Sequence, residues 1–400
     1  MEKIMYITDY IEGFPVVASV RYSDLMEQYN KAFDVVVVND LKYGDSKSKY
    51  SKENLKFYTG KLNFNVNNSK KNYFKDLFRQ DWILKIWRNY KYSYIKFKRD
   101  NNNNLNKINE YIKNNKIKKI FITVPDVYAI YIAKYIKNIN KDMIVITEVR
   151  DILNHSIGKG NPRIVMKKAE KVMLEISDGL IVLSEGIENY YMKMNYNKTI
   201  KLVKNGYNSK NFEFIKDKYK SRKEVLVLSH IGSIYKGRNI KDLILALIKY
   251  SNEKNIKIIF DIVGFLDNEA LKDLNEIDYI VKKSNVILNV IGTVEHKKAI
   301  EYLMNSDIAV ILTHISGSGF AIPGKTFEYI GAEKPILAVT NDKPLIDLIN
   351  HKYGECAEHN IDDIVEKLKI ILNTSYNFQD KYKYTREFQA DKIIDFIKSF

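Results

Sequence analysis

This sequence has few of the residues that form disulfides, metal clusters or membrane-spanning helices. Its 400 residues include one cysteine, Cys356, and six scattered histidines. A single cysteine excludes an intrachain disulfide and fits a reducing compartment, and the scattered histidines offer no zinc-ligand spacing. No uninterrupted apolar run approaches the roughly 20 residues that a helix needs to cross a bilayer, and the apolar stretch at the start is too short for a signal peptide. We therefore expect a cytoplasmic protein without a bound metal.

The positive charge of the chain is unevenly distributed. The net charge is +16, but residues 251–400 carry −5, so the basic surplus lies in the first 250 residues. Such asymmetry favours an anionic partner for the N-terminal half, either an acidic membrane surface or a nucleic acid. Alternatively it reflects composition drift, because Lys, Asn, Ile and Tyr are abundant throughout the chain.

Short apolar, β-branched runs alternate with helical stretches along the chain. The first series of predicted strands covers residues 3–8, 34–38, 119–124, 143–147, 179–183 and 200–203. The second series covers residues 225–231, 256–263, 286–291, 308–312 and 336–339. This alternation is typical of βαβ units around a parallel sheet. Two series predict an α/β protein with two Rossmann-like domains, whose ligand crevice lies between them at the carboxyl ends of the strands.

The predicted domain boundaries follow from the two series. An N-terminal acceptor-side domain covers residues 1–207, a charged linker 208–224 and a C-terminal domain 225–380. Residues 381–400 predict an amphipathic helix, with Phe388, Ile393 and Ile394 on its apolar side.

The segment from Gly317 to Leu337 is the most informative of the chain. A Gly- and Ser-rich loop follows a predicted strand and leads into a helix that begins near Pro323. The first backbone N–H groups of a helix lack partners and its N-terminal dipole is positive, so such a loop predicts an anion site. Glu328 lies one turn into this helix, where its carboxylate can reach a sugar diol.

A glycine turn follows the first strand of the second series, in the run Gly232-Ser-Ile-Tyr-Lys236-Gly-Arg238. The turn lets the backbone approach a diphosphate, and the ammonium group neutralises the charge that grows on a leaving group. Alternatively, this is an ordinary strand–turn–helix connection with a solvated lysine.

Together these segments resemble the donor site of the two-domain (GT-B) glycosyltransferases of family 4. The resemblance implies that Glu328 grips the ribose of a nucleotide sugar and that Lys236 meets its diphosphate. Ser233 stands where the family has an arginine, which Arg238 would replace, and Phe320 stands where it has a second glutamate. Further donor contacts are implied for Gly232, Gly319, Ala321 and Lys325. In GT-B enzymes the terminal helix commonly crosses back to the first domain.

Other family segments have counterparts here. Gly264 and Thr293 follow predicted strands and resemble the positions that frame the nucleobase; a UDP-sugar is the favoured donor, and no cofactor is expected. The chain contains no Asp-x-Asp, the motif through which GT-A glycosyltransferases bind a cation. This absence fits a metal-independent site.

The acceptor side offers fewer signals. Glu148, Arg150 and Asp151 end a predicted strand and resemble family residues that face the cleft; alternatively they form an ion pair that caps the strand. Asp126 stands where an acceptor pocket would open and could orient an acceptor hydroxyl, or it is a helix N-cap. Gly13 resembles the family's glycine loop, although a plain βα loop explains it equally.

Residues 72–99 alternate basic and aromatic side chains and contain both tryptophans, Trp82 and Trp87. This pattern suits an anionic membrane surface or single-stranded nucleic acid; alternatively, the rings form the core of a helical pair. We favour a membrane that holds a lipid-linked acceptor.

The family-4 resemblance implies a retaining glycosyltransferase (EC 2.4, hexosyltransferase type) that works without a metal and acts on a lipid-linked or oligosaccharide acceptor. The expected product is a cell-surface polysaccharide. The rival functions are a nucleotide-sugar 2-epimerase of the same fold and, more distantly, a basic nucleic-acid-binding protein.

Overall fold

Two compact units make up the protein. The computed structural model describes residues 1–8, 17–40, 54–57, 86–87, 89–125, 127–154, 163–212, 225–235, 237–316 and 319–400. The first unit comprises residues 1–183, 187–203 and 390–400, and the second comprises residues 184–186 and 204–389. The sequence placed the corresponding boundaries at 207 and 381.

A seven-stranded sheet forms the centre of the first unit. Its strands are β1 (Lys3–Thr8), β2 (Asp34–Asp40), β3 (Asn54–Phe57), β4 (Lys119–Val124), β5 (Ile144–Val149), β6 (Gly179–Val182) and β7 (Thr199–Leu202). They lie in the order β3-β2-β1-β4-β5-β6-β7, and each neighbouring pair is parallel. The central strands β1, β4 and β5 are buried almost throughout, because helices cover both faces of a parallel sheet.

Helices connect the strands of the first unit. They are α1 (Val17–Ala32), α2 (Tyr94–Asn114), α3 (Val127–Ile139), α4 (Arg163–Ile176) and α5 (Glu185–Lys193). Ser93 caps α2, because its hydroxyl accepts a hydrogen bond from the Lys96 amide. The buried residues of α2 recur at helical spacing, as expected for a helix that covers a sheet.

A six-stranded parallel sheet forms the centre of the second unit. Its strands are β8 (Val225–Ile231), β9 (Lys257–Val263), β10 (Val286–Gly292), β11 (Ile308–Leu312), β12 (Ile336–Val339) and β13 (Gly354–Ala357). They lie in the order β10-β9-β8-β11-β12-β13. The strand order reverses beside β8, and such a switch point opens a crevice at the carboxyl ends of the strands.

The helices of the second unit follow its strands in turn. They are α6 (Ile240–Lys254), α7 (Asn268–Lys282), α8 (His296–Asn305), α9 (Lys325–Gly331), α10 (Lys343–Ile349) and α11 (Ile361–Leu372). Asn239, Asp267 and Asn360 cap the N-termini of α6, α7 and α11 through their side-chain oxygens. Helix α6 ends at Lys254 and is followed by Asn255, which adopts a left-handed conformation with φ 53°.

The last helix, α12 (Arg386–Lys398), starts in the second unit and ends in the first. Ala390, Ile393 and Ile397 belong to the buried apolar cluster of the first unit, together with Tyr6 on β1. The predicted return of the C-terminal helix to the first unit is therefore confirmed. Phe388, which the sequence placed on the same apolar side, is half-buried and contacts the ring of Tyr382 instead.

An ion pair is buried inside the first unit. The Arg21 guanidinium on α1 donates from Nη2 and Nε to Glu148 Oε1 on β5, at 2.8 and 3.0 Å. The two side chains are 1% and 0% exposed. The prediction that Glu148 faces an open cleft is therefore wrong: its carboxylate is needed inside, where it neutralises Arg21.

The sequence missed two strands. The short strands β3 and β13 both contain polar residues, and β13 lies at an edge of its sheet. Among the described residues, no helix is both long and apolar enough to cross a bilayer.

The buried ion pair generates a stability prediction. Arg21→Met leaves the Glu148 carboxylate buried without its cation, which typically costs about 3–5 kcal/mol. We expect the urea midpoint of the first unit to fall accordingly. Tryptophan fluorescence follows this transition, since Trp87 belongs to this unit.

The double variant Arg21→Met/Glu148→Leu should recover much of this loss, because it removes both charges. Asp34→Asn is the matched control, because it removes the more exposed pair of Lys3 and Asp34 in the same unit. A single variant as stable as the wild type would show that the buried pair does not hold α1 to β5.

Candidate functional site

The candidate site lies at the carboxyl edge of the second sheet. Strands β8, β9 and β10 end at Ile231, Val263 and Gly292, and parallel strands bring these ends to one edge. The predicted donor residues Gly232 and Gly264 directly follow the first two ends. Thr293 follows the third and is exposed.

Two glycines bring the ends of β8 and β9 into backbone contact. Gly232 and Gly264 have φ values of 117° and 142°, which side chains rarely adopt. A Cβ on Gly264 would lie 2.5 Å from the carbonyl carbon and oxygen of Gly232. A Cβ on Gly232 would lie 2.9 Å from Lys325 Nζ. Both positions therefore require glycine, and the turn at Gly232 leaves its backbone open to the Lys325 ammonium.

The Lys325 side chain also contacts a buried histidine. Its Nζ lies 3.0 Å from His230 Nε2, and His230 Nδ1 lies 3.0 Å from the Val310 carbonyl oxygen. A carbonyl oxygen only accepts, so Nδ1 carries the proton and Nε2 is free to accept from the lysine. Burial and the nearby Lys325 charge hold the pKa of His230 well below its usual value, which keeps the ring neutral.

The environment of Lys325 also lowers the pKa of this side chain. Burial, followed by the positive charge of Arg238, lowers the pKa of Lys325 to about 7, while Glu328 opposes this shift. A lysine with such a lowered pKa takes up a proton when an anion binds beside it, because the anion favours the charged form. Lys325 is thus suited to bind a phosphate group.

Arg238 supplies a second positive charge beside the glycine turn. Its Nη1 donates to the Ser233 carbonyl oxygen at 2.9 Å, and its guanidinium lies 4.4 Å from the centre of the Tyr235 ring. Burial lowers its pKa from the usual value for arginine. Ser233 itself carries no charge. The structure places the Arg238 guanidinium against the turn, as the sequence suggested for the residue that replaces an arginine at position 233.

Glu328 projects from α9, and a histidine holds its carboxylate. Glu328 Oε1 lies 2.9 Å from His296 Nε2 at the start of α8. The hydrogen bond with Glu328 raises the pKa of His296, which favours the imidazolium form. The side chain of Glu328 is 15% exposed and that of His296 is 41% exposed. A ligand at this carboxylate must therefore compete with His296.

The neighbour of Glu328 fixes α9 against the sheet. The Tyr329 hydroxyl accepts a hydrogen bond from the Ile231 amide at 2.9 Å and lies 3.3 Å from the Val310 carbonyl oxygen. Tyr329 is fully buried, as is Phe327. The helix begins at Lys325, slightly later than the predicted start near Pro323. Its first turn therefore carries Lys325 and Glu328 together.

The loop before α9 is held by a buried aspartate. The Gly319 amide donates to Asp342 Oδ1 at 2.9 Å, and the Asp342 amide donates to Thr340 Oγ1 at 3.0 Å. Gly319 has a φ of 71°, which favours glycine. Phe320 and Ala321 follow and are half-buried. Asp342 thus positions the part of the loop that the structure describes, from Gly319 onward.

Comparison with known proteins finds one family model that matches this region. Residues 211–388 match the family model described as "Glycosyl transferases group 1". This range includes the glycine turn, Lys325 and Glu328. No curated protein matches the chain in sequence.

Solved glycosyltransferases and epimerases share the fold of the whole chain. The chain is similar to the structure described as "lipopolysaccharide outer core galactosyltransferase WaaB apo form", with 14% identity, 99% of each chain covered and a TM-score of 0.66. It is also similar to Anabaena Alr3699/HepE in complex with UDP and glucose, with 14% identity, 100% and 97% covered and a TM-score of 0.57. A third relative is the UDP-GlcNAc 2-epimerase of Methanocaldococcus jannaschii, with 13% identity, 100% of each chain covered and a TM-score of 0.56. The predicted GT-B fold is therefore confirmed.

The remaining predicted residues either fall outside the described residues or belong to the first unit. Gly13, Asp126 and Lys236 fall outside the described residues, as do residues 72–85 and 88 of the basic–aromatic segment. Arg150 and Asp151 lie in the first unit. The Arg150 guanidinium lies 5.5 Å from the centre of the Tyr22 ring, and Asp151 Oδ1 accepts from the Ile152 amide at 2.9 Å.

Sequence reasoning missed three residues of the site. His230, His296 and Asp342 contact Lys325, Glu328 and Gly319, respectively, over long separations along the chain. Their only sequence signal was that each lies at or near a strand end or helix start of the second series. Within the described ranges, no group of three or more His, Cys, Asp or Glu side chains could hold a metal ion.

The His296–Glu328 pair predicts a pH dependence. Because folding raises the pKa of His296, the pair stabilises the protein below the usual histidine pKa of about 6.5 and loses this contribution as the pH rises through the raised value. We expect NMR titration of the His296 ring, assigned with His296→Asn, to give a pKa above that of an exposed histidine.

Glu328→Gln removes the negative charge while keeping the shape of the side chain. In this variant the pKa of His296 should fall, because burial then acts on the imidazolium without a compensating carboxylate. If His296 titrates at the same pH in both proteins, the contact does not exist in solution.

Proposed function

We propose that this protein is a family-4-like glycosyltransferase that transfers the sugar of a UDP-sugar to a lipid-linked or glycan acceptor. The observation that carries the proposal is the meeting of Lys325, Glu328 and the glycine turn at one sheet edge, within the range that matches the group 1 model. The UDP bound to Alr3699/HepE supports UDP as the nucleotide.

Each group at this edge has a chemical role in the proposal. Glu328 accepts hydrogen bonds from the ribose hydroxyls after it leaves His296. The Lys325 ammonium and the Arg238 guanidinium bind the diphosphate beside the open backbone of Gly232. As the glycosidic bond breaks, negative charge grows on the departing UDP, and these fixed cations stabilise it. His230 stays neutral and orients Lys325.

The remaining parts of the proposal rest on the family-4 resemblance. We infer transfer with retention at the anomeric carbon, no metal ion and no cofactor, with leaving-group stabilisation as the main catalytic device. We also infer a role in the synthesis of a cell-surface polysaccharide, on the inner face of the cell membrane. Mass spectrometry and NMR of the product formed from UDP-sugars in chelator-treated enzyme test these inferences.

A donor-binding measurement tests the assignment of Glu328. Glu328→Ala should weaken UDP-sugar binding by one or two charge-assisted hydrogen bonds, about 1.5–3 kcal/mol each, or roughly tenfold or more in Kd. Isothermal titration calorimetry with UDP, GDP and TDP gives both the affinity and the preferred base.

His296→Asn is the matched control, because it breaks the same side-chain contact without removing the carboxylate. This variant should bind UDP at least as tightly as the wild type, since it removes a competitor for Glu328. Unchanged affinity and turnover in Glu328→Ala would contradict the role of this residue.

The lowered pKa of Lys325 predicts proton uptake on binding. At pH 8 much of Lys325 is neutral in the free protein, because its pKa is lowered to about 7. A bound diphosphate raises this pKa, so UDP should bind together with a fraction of a proton. Calorimetry in buffers of different ionisation enthalpy measures this fraction; Lys325→Gln should abolish it, and equal uptake in both proteins would refute the contact with phosphate.

A nucleotide-sugar 2-epimerase is the second candidate, because the M. jannaschii epimerase shares the fold over the full length of both chains. An epimerase needs no acceptor. Incubation with UDP-GlcNAc alone distinguishes the two: epimerised sugar favours this candidate, whereas transfer that requires an added acceptor favours the glycosyltransferase.

A further inference from the structure

A cavity lies at the amino edge of the second sheet, opposite the edge that carries the candidate donor site. It has a volume of about 410 Å³ and lies between the turn before β13 and the segment that follows α11. The residues that line it include His351, Lys352, Tyr376, Asn377 and Asp380. Strand β13 starts beside the start of its parallel neighbour β12, so the length of the strands separates this cavity from the carboxyl edge. We call it the amino-edge cavity.

His351 adopts a backbone conformation that normally selects glycine. It follows the end of α10 at Ile349 by two residues and has a φ of 61°. Glycine is the usual residue at such a position after a helix, because other side chains are strained there. Position 351 nevertheless carries an imidazole, and this side chain is 71% exposed. Backbone strain of this kind clusters at functional sites, so the histidine marks the cavity as a candidate binding site.

Hydrogen bonds fix both the orientation and the charge of the exposed His351 ring. Asn350 Oδ1 accepts from the Cys356 amide at 3.0 Å, so its Nδ2 group is the one that lies 3.1 Å from His351 Nε2. An amide nitrogen donates, so Nε2 accepts and the ring proton is on Nδ1. Nδ1 in turn donates to Glu355 Oε1 at 3.1 Å. The imidazole is therefore neutral and held at both nitrogens.

A buried carboxylate anchors a second ring of the cavity as well. Glu355 is 1% exposed, and its Oε1 also accepts from the Tyr376 hydroxyl at 3.0 Å. His351 and Tyr376 thus share one buried acceptor. Because this acceptor cannot move without losing both hydrogen bonds, the two rings keep their places in the free protein, and little ordering is required when a ligand binds.

The charges that line the cavity cancel. Among the described lining residues, only Lys352 and Asp380 carry a formal charge, since the His351 ring is neutral. The Lys352 ammonium lies 2.9 Å from Asp380 Oδ2, and the Tyr353 hydroxyl donates to Asp380 Oδ1. The described lining also contains no aliphatic side chain. It therefore favours neither an ion nor a lipid chain as the ligand.

We propose that the amino-edge cavity binds an uncharged sugar residue of a glycan chain. Ser375, Asn377 and Gln379 supply hydroxyl and amide groups that both donate and accept, as sugar hydroxyls do. Asn377 Oδ1 accepts from the Gln379 backbone amide at 2.8 Å, so its Nδ2 group is the one that can donate to a ligand. The exposed His351 ring offers a flat face to the C–H side of a pyranose.

The size and position of the cavity agree with this ligand. Its volume of about 410 Å³ lies within the range of small-ligand sites, and aromatic rings with a few oriented polar groups are typical of such sites. Because the cavity lies at the opposite edge of the sheet from Gly232 and Glu328, a sugar bound there neither is the donor nor competes with it. The inference therefore goes beyond the proposed transfer reaction and does not depend on it.

A glycan array tests the inference on the full-length protein. The array carries neutral oligosaccharides of glucose, galactose, mannose, N-acetylglucosamine and rhamnose, and the wild type should bind at least one of them. NMR titration with that sugar should shift the ring signals of His351 and give a dissociation constant of about 1 mM, since a few hydrogen bonds at an exposed site support only weak binding. Neither UDP nor added NaCl should weaken it, because the site is separate from the donor edge and has no net charge.

Two variants locate the binding in the cavity. His351→Gly removes the ring and gives the left-handed backbone the residue that it favours, so the protein should remain folded. Gln379→Ala removes an exposed amide and should keep the melting temperature of the wild type. Each should weaken sugar binding by about tenfold. The matched control is Asn255→Gly, which places glycine at a φ of 53° after α6 and should bind the sugar like the wild type.

Three outcomes would overturn the inference. The first is that the wild type binds no sugar on the array, and the second is that both cavity variants bind the sugar as tightly as Asn255→Gly does. The third is that UDP displaces the sugar, which would place it at the donor edge instead. Because the array needs neither a sugar nucleotide nor turnover, its failure leaves the donor-binding experiments on Glu328 unaffected.

Discussion

The ends of β8 and β9 touch at Gly232 and Gly264, and the candidate site depends on this contact. Gly264 has no room for a Cβ beside the backbone of Gly232, and both backbones adopt conformations that favour glycine. The contact leaves the peptide groups of the turn open beside Lys325. A side chain at Gly264 would push the strand ends apart, and one at Gly232 would displace the Lys325 ammonium from the turn. The backbone geometry of the turn thus determines how close the charged side chains lie to it.

The charges of the site are held in states that a ligand can change. Lys325 and Arg238 both lose basicity through burial, and His230 stays neutral. Glu328 is engaged by His296. The free site therefore contains two basic side chains whose charged forms are disfavoured by burial and a carboxylate with a replaceable partner. A nucleotide diphosphate offers both an anion for the first and hydroxyls for the second, and this complementarity links the geometry to the proposed function.

The sequence was most informative where the signal was local. Long apolar runs identified the strands of both sheets, and the spacing around Glu328 identified the helix that carries it. Signals failed where contacts span the chain: His230 and His296 meet Lys325 and Glu328 across 95 and 32 positions. Glu148 illustrates the opposite error, because a charged residue at a strand end suggested a site, whereas Arg21 from 127 positions away buries it. The strands β3 and β13 escaped notice because their short sequences carry polar residues.

The division of the chain has a consequence for its biosynthesis. The apolar cluster of the first unit includes Ala390, Ile393 and Ile397, which the ribosome adds only after the whole second unit. The first unit therefore cannot complete its interior during translation of its own strands. Part of its apolar surface stays uncovered until nearly two hundred further residues have been synthesised. During this time chaperones can protect the surface from aggregation. The second unit, contiguous from residue 204 to 389 apart from three residues, has no such delay and can fold as it emerges.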